Sequence, residues 1–88
     1  MARYNNEKVQ DLFNMAADLN YTAIVRCDGE VDYRGTNMAA ALDAVLAVDE
    51  AEVRFLSLDG RTGWALIIPG LADDEQVADC SGIVEEWI

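Results

Sequence analysis

The chain is 88 residues long and 52% hydrophobic, and its 17 acidic and 6 basic side chains leave a net charge of −11. A chain of this length makes one domain with a modest core, burying about 60–65% of its unfolded surface, and its hydrophobic content excludes intrinsic disorder. Lysine and arginine are too few and too scattered to displace counterions from nucleic acid or to meet anionic headgroups, so direct binding to nucleic acid or membrane is not expected.

Taken in chain order, Asn5 or Asn6 can cap a first helix, and Glu7 lies favourably in its first turn. Val9, Leu12, Phe13, Ala16 and Leu19 then recur at helical spacing, and the helix ends near Asn20. Tyr21 to Cys27 is β-branched and aromatic enough for a strand. Asp28-Gly29 is a two-residue hairpin signal, because both residues tolerate positive φ. With that loop, Ile24 faces Tyr33 and Arg26 faces Val31, and Ile24, Tyr33 and Val31 are expected on the core face. Gly35-Thr36 ends the hairpin and caps a second helix, whose apolar stripe is Met38, Ala41, Leu42, Val45 and Leu46. Asp49, Glu50 and Glu52 follow its C-terminus, where acidic groups oppose the helix dipole at a cost of about 0.3–1 kcal/mol each.

Val53 to Leu58 and Thr62 to Ile68 read as a second hairpin around Asp59-Gly60. That loop pairs Phe55 with Trp64 and Val53 with Leu66, placing all four in the core and leaving Leu56 and Ile67 on the second face. Pro69-Gly70 stops the strand. Residues 71–75 read as a polar loop, and Gln76 to Ser81 as a strand or a helical turn. A short terminal helix over Ile83 to Trp87 would dock through Ile83, Val84 and Trp87. The fold class is α+β in the order α-β-β-α-β-β: a four-stranded antiparallel sheet with helices packed on one face and a short C-terminal strand or helix.

No motif names a reaction. Without histidine there is no Ser-His-Asp or Cys-His catalysis, no histidine zinc site and no usual general base near neutrality. Gly60-Arg61-Thr62-Gly63 is too short for a phosphate loop. Asp28, Glu30 and Asp32 alternate like the start of a calcium loop, but the sixth position is Tyr33 and the twelfth Ala39, so they read as a solvated hairpin edge. No enzyme activity, cofactor or metal is expected. Cys27 and Cys80 read as small buried hydrophobes of a reducing compartment, with a disulfide as the alternative. The longest apolar run, Trp64 to Ile68, is too short to cross a bilayer, and residues 1–7 do not form a signal peptide. The expected compartment is the cytoplasm.

The charge is uneven. Residues 1–34 hold 6 acidic and 4 basic groups, whereas residues 35–88 hold 11 and 2. After Arg61 there is no basic side chain, while Asp73, Asp74, Glu75, Asp79, Glu85 and Glu86 follow. Either these acids are separate solvated patches, or they converge into a face that binds a basic partner. In the second case the partner-binding residues are Asp49, Glu50, Asp73, Asp74, Glu75, Asp79, Glu85 and Glu86, with Trp87 as the anchor; otherwise Trp87 staples the tail. Basic surfaces in a cytoplasm belong mainly to proteins that handle nucleic acid.

In its size, its charge and the acidic tail from Asp73 to Glu86, the chain resembles small bacteriophage-encoded proteins of the host-takeover or anti-defence kind. The resemblance implies a protein inhibitor that blocks a nucleic-acid-binding surface of a host or anti-phage system. The alternative expectation is a small structural or assembly protein forming a homo-oligomer, its second sheet face needing cover.

Overall fold

The computed structural model describes residues 6–72 and 75–87. Helix α1 spans Glu7–Asp18 and buries Val9, Leu12, Phe13 and Ala16, one stripe at i, i+3, i+4 and i+7. It stops because Asn20 takes a left-handed φ of 57°. The Tyr21 amide then donates to the Ala16 carbonyl at 2.9 Å and the Asn20 amide to that of Ala17 at 3.1 Å. This closing motif swings Tyr21 into the core and leaves Leu19, expected in the apolar stripe, exposed. At the other end, Asn6 occupies the cap position without a side-chain cap bond. Its Oδ1 instead accepts from Gln76 Nε2 at 2.7 Å.

Strands β1 (Thr22–Cys27), β2 (Glu30–Gly35), β3 (Ala51–Leu56), β4 (Thr62–Ile67) and β5 (Val77–Gly82) form one antiparallel sheet in the order β2-β1-β3-β4-β5. The sheet therefore has five strands rather than the expected four. Of the two alternatives for Gln76 to Ser81 the strand forms, as β5, and the expected short terminal helix over Ile83–Trp87 is a 3₁₀ turn. Helix α2 (Met38–Leu46) is capped by Asn37, whose Oδ1 accepts from the Ala40 amide at 3.1 Å, not by Gly35-Thr36. It buries Met38, Ala41 and Val45, while Leu46 at its end is exposed.

Both hairpins depart from the expected register, with consequences for which face each side chain occupies. In the first, Asp28 (φ 52°) and Gly29 (φ 81°) form the expected turn, and Arg26 pairs with Val31. A bulge then absorbs one residue of β2, so Tyr33 pairs with Val25 instead of Ile24. Tyr33 turns to the helix side, where its hydroxyl accepts from the Asn37 amide at 2.9 Å, while Ile24 and Val31 lie on the opposite face.

In the second hairpin the loop is Ser57–Arg61 rather than Asp59-Gly60 alone. The Ser57 amide donates to the Arg61 carbonyl at 2.8 Å, and the Arg61 amide to Ser57 Oγ at 2.8 Å. Lengthening the loop shifts the pairing by one residue: Phe55 faces Gly63, Val53 faces Ala65, and Trp64 pairs with Arg54. Because strand side chains alternate, this single step moves Trp64 and Leu66 out of the core and brings Ile67 in, fully buried.

The helix side of the sheet is thus lined on β4 by Gly63, Ala65 and Ile67. The small residues leave room for the terminal 3₁₀ turn. A Cβ at Gly63 would lie 2.7 Å from Ile83 Cγ1 and 2.8 Å from Val84 Cγ2. Trp87 closes this layer, its ring centroid 5.4 Å from Tyr21 and 5.4 Å edge-on to Phe55, which in turn lies 5.5 Å from Phe13. Gln76, fully buried, donates from Nε2 to the carbonyls of Pro69 and Leu71 as well as to Asn6, tying the β4–β5 connection to the start of α1.

Cys27 and Cys80 are both free thiols. They stand on β1 and β5, with β3 and β4 between, about 14 Å apart in strand spacings, which excludes a disulfide.

Candidate functional site

The antiparallel order brings three connections to one end of the sheet: the β1–β2 turn, the α2–β3 connection and the β4–β5 connection. Acidic residues far apart in sequence meet there. Asp28 lies in the first turn and Glu30 follows it, Asp32 sits in the β2 bulge, and Asp49 and Glu50 lead into β3, where Glu52 pairs with both Arg26 and Leu66. All six carboxylates are exposed.

Two shallow hollows adjoin at this corner and share Asp28 and Glu50. One of about 280 Å³ is lined also by Arg26, Gly29 and Glu52, and the other, of about 410 Å³, by Cys27, Ala47, Val48 and Asp49. The Cys27 thiol reports the local field. Partial burial pushes its pKa up, and the carboxylates of Asp28, Asp32, Asp49 and Glu50 push it further. Helix α2 points its C-terminus at the same corner, so its partial negative charge adds to theirs.

Among the described residues the ion pair within contact distance is Arg61–Asp59, at the opposite end of the sheet. Among the described residues no basic side chain comes within ion-pair distance of the corner's acids. Arg26 is the basic side chain that lines it.

The residues singled out in the sequence divide among several places. Asp49 and Glu50 belong to the corner. Glu75 precedes β5 at the same end, and Asp79 lies on β5 opposite Leu66, on the face away from the helices. Asp73 and Asp74 fall outside the described residues. Glu85 and Glu86 stand on the terminal turn, where Glu85 acts on the Cys80 thiol and Glu86 on Arg61. Trp87 is half-buried against Tyr21 and Phe55, and its remaining edge lines a hollow of about 180 Å³ with Lys8, Asp11, Leu12 and Val77.

Asp28, Glu30 and Asp32 join the corner although the sequence marked them only as a solvated hairpin edge. No local sequence signal marks this meeting, because it depends on strand order: an antiparallel arrangement with β1 beside β3 sets the β1–β2 turn next to the α2–β3 connection.

Among the described residues no three histidine, cysteine, aspartate or glutamate side chains converge as a metal site, and no helix is long and apolar enough to cross a membrane. The chain matches no known protein family, no curated protein and no solved structure.

Proposed function

We propose that the chain is a non-enzymatic protein-binding module whose acidic corner occupies a basic, nucleic-acid-binding surface of a cytoplasmic host protein. The observation that carries this reading is the gathering of Asp28, Asp32, Asp49 and Glu50 around Cys27, with no basic partner within ion-pair distance among the described residues. Unpaired like charges so close together repel one another and lower stability. A basic partner relieves that repulsion and draws the module in by long-range attraction. Glu75, just before β5, extends the contact to the β4–β5 side of the same end. The resemblance to small acidic bacteriophage proteins extends the proposal to an inhibitor of a host or anti-phage system.

Affinity capture from bacterial lysate tests it, followed by binding measurements with the captured protein. The expected partner handles nucleic acid, is displaced by DNA or RNA, and loses affinity steeply as salt is raised past about 0.15 M, where screening reaches about 8 Å. Asp28→Asn, Asp49→Asn and Glu50→Gln together should weaken binding by about 10- to 100-fold, mostly through the association rate. A partner bound equally well by that triple variant, or one indifferent to salt, would sink the reading.

A further inference from the structure

The face of the sheet away from the helices is not covered by any described element. Its paired positions form two long rows across the strands. One reads Arg26, Glu52, Leu66, Asp79, and the other Ile24, Arg54, Trp64, Ser81. Arg34 and Val31 extend them onto β2. Three of the chain's six basic residues therefore lie here, against two acids, Glu52 and Asp79, at these paired positions. In a chain of net charge −11 this is a face on which charges nearly balance, around an aromatic and aliphatic centre. Tryptophan and arginine are enriched at protein interfaces and lysine is depleted there.

We propose that this face is a homodimer interface, with a second copy of the chain as its occupant. Like-charged copies meet with least repulsion where the local charge is balanced, and the ends of the first row, Arg26 and Asp79, and the centre of the second, Arg54 and Trp64, are complementary in pairs. A two-fold axis parallel to the strands, passing between β3 and β4, lays β3 of each copy over β4 of the other and β1 over β5. It sets Arg26 over Asp79 and Arg54 over Trp64, each pair made twice, with Leu66 over Glu52 and Ile24 over Ser81. An axis through β3 would instead set Arg54 on Arg54. The two sheets then pack as an aligned sandwich at about 30°.

Edge pairing is the competing route, and both edges are blunted. Strand β2 carries the bulge, and on β5 the Cys80 amide donates to Asp79 Oδ1 at 2.9 Å. The second oxygen of Asp79 remains for the arginine.

Four overlapping strands of six residues cover about 19 by 20 Å, about 400 Å² in projection and about 600 Å² of corrugated accessible surface per copy. The total of about 1,200 Å² is at the lower limit of stable interfaces, the size class of weak association. Because the axis runs along the strands, both acidic corners point the same way. The dimer covers Arg26 and Glu52 at the margin of the corner but leaves Asp28, Asp32, Asp49 and Glu50 outside the four overlapping strands, so its test is separate from that of the function proposed for them.

Sedimentation of the full chain from about 1 to about 500 µM tests the proposal, with circular dichroism confirming the fold of each variant. The wild-type chain should pass from monomer to dimer. Trp64→Thr should abolish the dimer, and Ile24→Thr should weaken it on the same face if the first variant fails to fold. Arg26→Asp and Asp79→Arg should each weaken association at least about tenfold, because each sets like charges face to face, and the double variant should recover most of it. A monomer at every concentration, or a dimer indifferent to Trp64→Thr, would overturn the interface. A double variant as weak as the single ones would overturn the two-fold register.

Discussion

The two tryptophans lie in different environments, and truncating each one measures the difference. Trp87 packs against Tyr21 and Phe55 at 5.4 Å each, next to the Phe13–Phe55 pair, and is half-buried. Burial of about 130 Å² of indole at about 25 cal/mol per Å² contributes about 3 kcal/mol. The two ring pairs add about 0.5 kcal/mol each, and residual burial in the unfolded chain removes a similar amount. Trp87→Ala should therefore cost about 3 kcal/mol, out of a total of about 4–13 kcal/mol for a chain of this length. Trp64 is also half-buried, but against its cross-strand neighbours on the open face and not on the core, so in the monomer Trp64→Thr, which keeps a β-branched side chain there, should cost about 1–2 kcal/mol. Urea titration followed by far-ultraviolet circular dichroism, at concentrations where sedimentation shows a monomer, gives both numbers. The slope with urea should not change, because neither variant alters the surface exposed on unfolding appreciably. If Trp64→Thr costs more than Trp87→Ala, the β3–β4 register described above is wrong and Trp64 is a core residue.

Three further outcomes follow from particular contacts. Gly63→Val should cost about 1–3 kcal/mol and loosen the near-ultraviolet signal of the aromatic cluster, because a Cβ there meets Ile83, Val84 and the Val84 backbone nitrogen at 2.9 Å; an unchanged spectrum and stability would contradict the tight seating of the terminal turn. The Asp59 carboxyl is held below its ordinary pKa, first by the Ser57 hydroxyl and then by Arg61, so its contribution is present above the unfolded pKa and is lost as pH falls through the folded one. Its NMR titration midpoint should lie below that of an ordinary aspartate and rise in Ser57→Ala; a midpoint unmoved by that change would refute the assignment of the hydroxyl. The Cys27 thiol, raised by partial burial and then by its acidic neighbours, should alkylate slowly near neutral pH, and Asp28→Asn with Glu50→Gln should speed it about twofold, whereas an unchanged rate would mean that those carboxylates do not share its surroundings.

Local signals located most of the elements. The spacing of Val9, Leu12, Phe13 and Ala16 marks α1, and Asp28-Gly29 marks the first turn, because both depend on neighbours within a few residues. The acidic excess was equally visible, but its arrangement was not. Asp49 and Glu50 were marked for partner binding together with Glu85 and Glu86. The fold sets the first pair beside Asp28 and Asp32 and the second pair on the terminal turn near Cys80 and Arg61.

Sequence alone determined the alternation of helices and hairpins, the strongly negative charge and the absence of histidine chemistry. Tertiary structure decided which way the strands face. One residue absorbed by the bulge in β2 and a loop drawn out to Ser57–Arg61 each shift a register by one, and a shift of one exchanges the two faces of a strand. Loop hydrogen bonds and the close approach of the terminal turn over Gly63 favour these registers, and those contacts exist only once the chain has folded. For that reason Trp64 and Leu66 lie on the open face, Tyr33 turns to the helix side, and Trp87 closes the core.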